Sequence, residues 1–299
     1  METRSNSKSI QINSLFYIKN ISIIWFLGMF ALALSGSIGE YSENLWNLNK
    51  QIRYGLQAII MSGIVVTGVW YIRHRYIHGM PKSIGIGNLK NALLKTLLGI
   101  GLLLLPLFLT ISSVFLFGGV HVNINFSSST FINLLIGIGT VFLFEALPEE
   151  LLFRGFIYST LNAKFKRWFS ALITIGLFVL LPIVLYPIQK YILGMETQIG
   201  NSSTLTISYI IIMLFFGAFV QYLRILTNSI WTGIGFHLMF VYFNRIMGPE
   251  PSNLIQFSNF TNERPLQIVF VTSLLIVFIV LLLYPRISKQ PIGWNKTQQ

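Results

Sequence analysis

Eight apolar stretches divide this chain, each close to the roughly 20 residues that carry a helix across a hydrocarbon layer. They run over about 21–38, 54–72, 92–118, 131–158, 169–189, 205–224, 229–246 and 266–284. The connections between them are short and polar, and the shortest, Arg224 to Asn228, separates the sixth stretch from the seventh. In lipid a backbone must satisfy its own hydrogen bonds, so apolar runs of this length predict helices. The expected fold class is all-α: a polytopic membrane helix bundle of about eight transmembrane helices. One membrane domain is expected over 1–299, with residues 1–12 and 287–299 as flexible cytoplasmic ends.

The composition excludes an ordinary soluble domain. Hydrophobic residues make up 54% of the chain and charged residues 10%, against roughly 25% charged in soluble domains. The net charge of +12 does not mark a nucleic-acid partner, because the basic residues gather in the connections rather than along an aromatic-interleaved face. With a cytoplasmic N-terminus, fifteen of the 21 basic residues fall in inside segments, Arg224 among them. Five fall outside (Lys50, Arg53, Lys190, Arg245 and Arg264), and Arg154 lies within a span. This bias predicts both termini inside, an even number of spans and a plasma-membrane location. Ala31-Leu32-Ala33 mimics a leader cleavage site, but a long polar segment precedes the first apolar run, which therefore reads as a spanning helix. Trp25, Trp70, Trp168 and Trp231 lie near segment ends and are expected to anchor at the interfaces. Met80 to Asn91, with Gly85 and Gly87, is expected to form a cytoplasmic turn leading into an interfacial helix.

Acid is scarce and clustered. The chain has no Asp and no Cys, and three of its nine Glu residues fall within six positions: Glu145, Glu149 and Glu150. Acids inside membrane segments are costly and tend to be functional. Pro148 suits the first turn of a new helix or a kink. Beyond it Glu150 and Arg154 are four residues apart and face each other, so a bidentate pair would neutralise both. Glu149 is then a spare carboxylate on an adjacent face, able to act as a general base toward water. The plainer alternative is three solvated acids at a helix end. A continuous helix would place Glu145 on the face of Glu149, where the two could share a proton; Pro148 argues against that continuity.

The run Glu149-Glu150-x-x-x-Arg154, with Phe153 and Gly155 beside it, resembles the first motif of the CAAX-protease and bacteriocin-processing family of intramembrane proteases. The resemblance covers 131–244. The family's second motif, Phe-x-x-x-His, falls on Phe178 and Pro182, so proline stands where histidine is expected. Its third, His-x-x-x-Asn, falls on His237 after the approach Thr227-Asn228-Ser229-Ile230-Trp231. The position four on is Val241; Asn244, seven on, shares the helix face. The resemblance implies an eight-helix endopeptidase that hydrolyses membrane-associated peptides with glutamate-activated water. It implies that Glu149 activates the water, that Glu150 and Arg154 hold the site's shape, and that His237 stabilises the oxyanion or places the water. Phe178 and Asn244 would line the substrate side. With the N-terminus inside, His237 lies eight residues above Ser229, about 12 Å into the membrane, in the same cytoplasmic half as Glu149.

No cofactor is required. A catalytic zinc takes three protein ligands, whereas the spans offer one histidine, and Arg154 beside the glutamates opposes a cation. His74 and His78 sit four apart on a connection, and His121 is expected at the opposite side. Zinc stays open as an alternative. Two other function classes stay open as well. Pro182 and Val241 suit a catalytically inactive relative acting as a membrane scaffold, or as a peptide-binding or immunity protein. Intramembrane carboxylates suit a transporter, although no paired, interrupted segments recur in two matching halves. The expected partners are a membrane-bound protein or peptide substrate and the lipid bilayer, not nucleic acid.

Overall fold

The computed structural model describes residues 14–75, 83–116, 121–124, 127–195, 204–246, 255–258, 264–289 and 292–297. The expected flexible N-terminal end, His78 and residues 80–82 lie outside these. The described residues form eight long helices: α1 (Ser14–Trp46), α2 (Lys50–Arg75), α3 (Leu89–Leu116), α4 (Ser128–Asn162), α5 (Arg167–Ile192), α6 (Ile207–Thr227), α7 (Ile230–Ile246) and α8 (Arg264–Ile287). Seven are long and apolar enough to cross a membrane. The protein is a lipid-embedded helix bundle, as its apolar stretches require. The helices overrun those stretches. α1 takes in Glu40 and Glu43, because a helix that satisfies its own hydrogen bonds in lipid keeps doing so through the polar layer above it.

α7 is the exception to length, at 17 residues. Its first half is enclosed by protein: Thr232 to Leu238 are buried without interruption. It packs most heavily on α3, and also on α4 and α6. The narrow break before it falls at Asn228, whose φ of 50° is left-handed and ends α6. Asn tolerates that conformation better than most residues. Lipid meets the outer faces instead, where Leu97, Leu104, Leu105 and Phe108 of α3 are exposed.

One element has no counterpart in the apolar pattern. β1 (His121–Ile124) pairs antiparallel with β2 (Ile255–Ser258), His121 opposite Ser258 and Ile124 opposite Ile255. Each strand is four residues inside a polar connection, so neither has a signal apart from its partner. The ribbon brings the α3–α4 and α7–α8 connections to one end of the bundle. At the other end, Ile230 N–H donates to Gly85 O at 3.1 Å and Arg167 N–H to Lys296 O at 3.1 Å. These ties gather the α2–α3, α4–α5 and α6–α7 connections with the C-terminal segment. The chain therefore alternates between two ends of the bundle.

Several local expectations change. Trp25 is buried and donates its indole N–H to Leu177 O at 2.9 Å, tying α1 to α5 rather than anchoring at an interface. The described part of the segment containing Gly85 and Gly87, residues 83–88, leads directly into α3, with no separate interfacial helix among the described residues. Residues 292–297, within the expected flexible end, lie along the start of α5, where Trp168 N–H donates to Trp294 O at 3.3 Å.

The α3–α7 contact is close because both helices present glycine. A methyl group on Gly99 would overlap Thr232 O, and one on Gly235 would overlap Thr96 O. Small residues let backbones approach in membranes, where packing replaces the hydrophobic effect between helices. Gly235→Val should therefore cost about 1–3 kcal/mol through overpacking, read as a lower Tm in detergent. Gly101→Ala, on the open side of the same α3, should leave Tm unchanged.

Candidate active site

The site is built on an irregular helix. α4 runs without a break through Pro148, but in π register over Phe142–Ala146 and Glu150–Ile157. Leu147 N–H bonds to Phe142 O, five residues back. In that register Pro148 would have donated to Leu143 O, and it has no N–H to give. The Ser62 hydroxyl of α2 donates to Leu143 O instead. The expected kink is thus replaced by two π segments and a hydroxyl from a neighbouring helix. π segments of this kind recur at functional sites.

Glu150 and Arg154 have no exposed surface. Arg154 Nη1 donates to Glu150 Oε1 at 3.2 Å, while Nη2 turns away to Gly217 O of α6, also at 3.2 Å. The expected bidentate pair is therefore split between a carboxylate and a backbone carbonyl. The guanidinium lies 4.4 Å from the centroid of the Phe178 ring, and Phe153 meets that ring edge-on. His237 Nδ1 lies 3.1 Å from the same Glu150 Oε1, and its Nε2 lies 4.0 Å from Glu149 Oε2. The imidazole therefore sits between two carboxylates. Phe216 meets the imidazole in an edge-on arrangement, with ring centroids 4.7 Å apart. Glu149 keeps 19% of its side chain exposed, against none for Glu150. One carboxylate is sealed into the framework and its neighbour has access to the outside.

Glycine makes the space. A methyl on Gly233 would stand 3.0 Å from Glu150 Oε2, and one on Gly217 would stand 3.0 Å from the Phe178 ring. Glu150 Oε2 has no protein partner.

The structure gathers Glu149, Glu150, Arg154, Phe178 and His237. It does not bring Asn244 to them: that side chain is exposed and donates to Phe240 O of its own helix at 2.7 Å. Glu145 is ion-paired with Arg245, so it has a cation of its own rather than only Glu149 to share with. Pro182 sits half-buried in α5, one turn beyond Phe178. His74 is exposed and stacks on Trp70, away from the cluster. Among the described residues no three His, Cys, Asp or Glu side chains are grouped to hold a metal ion. Glu150 Oε1 already faces both Arg154 and His237.

Arg224 is the residue that sequence reasoning misplaced. Counted with a polar connection, it is buried in the last turn of α6. Tyr158 N–H bonds to Phe153 O, five back. Where the chain then returns to four-residue spacing, one carbonyl is passed over. Arg154 O stands at that junction and accepts from Arg224 Nε at 3.1 Å. The other guanidinium nitrogens donate to Asn228 Oδ1 at 2.8 Å and Ser159 Oγ at 3.2 Å. Gly85, with φ of 84°, leaves no room for a Cβ beside the Arg224 guanidinium. The available signal was weak: Arg224 and Asn228 are four apart at the end of an apolar run.

Comparison with known proteins bears on the same region. Residues 131–243 match the family model described as type II CAAX prenyl endopeptidase, Rce1-like. That stretch contains all five gathered residues. No curated protein and no solved structure matches the chain.

Removing one partner of the buried pair strands the other. Arg154→Met should cost about 3–5 kcal/mol of stability, measured by unfolding in detergent. The double replacement Glu150→Gln with Arg154→Met should regain a large part of that loss, because no unpaired charge remains.

Proposed function

We propose that this protein is an intramembrane endopeptidase that cleaves membrane-bound peptides with water activated by Glu149. One observation carries the reading: an accessible carboxylate and a buried, oriented imidazole face each other across 4.0 Å. That separation is too long for a direct hydrogen bond and suits a single water between them. Glu149 takes a proton from the water, and the hydroxide attacks the scissile carbonyl carbon. Glu150 holds His237 through Nδ1, leaving Nε2 to donate to the oxyanion. Glu149 then gives its proton to the departing amine.

Arg154 is a positioning residue here: it holds Glu150, and Phe178 and Gly217 hold Arg154. The family match over 131–243 agrees with peptide hydrolysis as the reaction class. The basic bias of one set of connections supports a plasma-membrane orientation with both termini cytoplasmic. A membrane-bound substrate meets the site at Glu149, the carboxylate of the cluster that keeps exposed surface.

A second reading is favoured by Pro182, which offers no second imidazole, and by Asn244, which faces away. On it the chain is an inactive relative that binds membrane peptides. The two part on one experiment. Purified protein in proteoliposomes should cleave members of a panel of lipidated and transmembrane peptides, read by mass spectrometry. Glu149→Gln should lower the rate by at least about 10²-fold with Tm unchanged, and His237→Ala should also abolish turnover. Identical product profiles from wild type and Glu149→Gln would leave only the binding role.

A further inference from the structure

A cleft of about 440 Å³ opens between α5 and α6, within the size range of small-ligand sites. Trp168, Leu172 and Ile175 form one wall, Tyr222 and Ile225 the other. Trp294, from the docked C-terminal segment, closes one end and stacks on Tyr222 with ring centroids 6.1 Å apart. The walls are apolar except at Gln221. That side chain is 1% exposed, and neither its amide nitrogen nor its amide oxygen has a hydrogen-bond partner. Buried polar atoms are rarely left so, and in a lipid-facing cleft bulk water does not supply the bonds. A vacant donor and a vacant acceptor on one carboxamide match a ligand group that offers both, a secondary amide.

The rim supplies a second constraint. Arg167 adjoins Trp168, and its guanidinium donates to Ile292 O at 2.7 Å. Lys296 is exposed two residues beyond Trp294. Gln221 lies four residues from Ile225, or about 6 Å along α6, roughly the length of a glycyl linker. The cleft is distinct from the Glu/His cluster. Gly217, one turn further along α6, gives its carbonyl to Arg154, while the cleft takes the neighbouring Ala218.

We propose that this cleft binds an N-acylated anionic amphiphile: a single fatty chain between α5 and α6, its amide on Gln221, its anionic group toward Arg167 and Lys296. The chain fills the apolar length, and the amide meets both vacant atoms of Gln221. An ester of the same chain offers acceptors only and leaves the Gln221 oxygen unpaired. Free N-acyl amino acids and N-acylated polypeptides present the same chemistry at this point.

The test is binding, and it does not rely on peptidase activity. Full-length Glu149→Gln protein in phosphatidylcholine nanodiscs is titrated with N-dodecanoylglycine and with its ester analogue. Both carry brominated chains, so quenching of Trp168 and Trp294 fluorescence reports occupancy. The amide probe should bind at least about fivefold tighter than the ester, the ratio expected when one buried polar atom is left unpaired. Gln221→Leu should abolish that ratio while keeping chain binding. Gln221→Asn should keep part of the ratio, which separates recognition from a folding defect. Tighter binding of an N-dodecanoyl-glycyl hexapeptide would assign the cleft to acylated polypeptides, and equal binding to free acyl amino acids. Equal affinity for amide and ester, a ratio that survives Gln221→Leu, or quenching no greater than bulk partitioning would overturn the proposal. Failure here leaves the peptidase reading standing, because that reading is judged by cleavage alone.

Discussion

A carboxylate and a guanidinium with no exposed surface sit four residues apart on α4, and much of the bundle's interior is arranged around them. Desolvating each ion costs several kcal/mol even after relaxation, so the pair survives only if its remaining valences are met. Three other helices meet them. α5 supplies the Phe178 ring beneath the guanidinium, α6 the Gly217 carbonyl, and α7 the His237 imidazole. Glycines at 217 and 233 admit the charged groups where any side chain would crowd them. The pair thus joins four helices at one level of the bundle. The imidazole that contacts it is held there for the same reason that it is available to chemistry.

The backbone beneath that cluster would not persist in lipid. π register and an internal proline leave carbonyls without their own donors, and such backbone is tolerated at membrane depth only where protein re-satisfies it. Ser62 does so for Leu143 O, and Arg224 for Arg154 O. Arg224 in turn rests against Gly85, whose carbonyl receives Ile230 N–H at the start of α7. The connection that carries Gly85, between α2 and α3, therefore contributes to where His237 stands. This chain of contacts explains why a buried arginine with neutral partners belongs at the end of an apolar helix.

Much of the bundle was legible because lipid makes the reading simple: an apolar run must be a helix, and a span needs about 20 residues. Even the narrow break at Asn228 could be found that way. The strand pair could not, since four residues in a polar connection carry no periodicity until a partner from 130 positions away aligns with them. Trp25 looked interfacial by its place in the sequence, and only the packing of α1 on α5 buries it. Arg224 looked solvated because it stood next to a connection, and depth is not a local property.

The candidate site divides along the same line. Sequence alone determined the spacing of Glu150 and Arg154, the presence of a spare carboxylate at Glu149, and the lone histidine that could reach them. Those follow from local helix geometry, in which residues four apart share a face. Tertiary structure decided that the guanidinium bond is split with Gly217, that Phe178 lies beneath it, and that Asn244 points away while Glu145 pairs with Arg245. Each of these joins residues on separate helices or depends on how a helix is rotated against its neighbours. Lipid, being equally apolar on every side, leaves that rotation to close packing and to the few polar groups that must find one another.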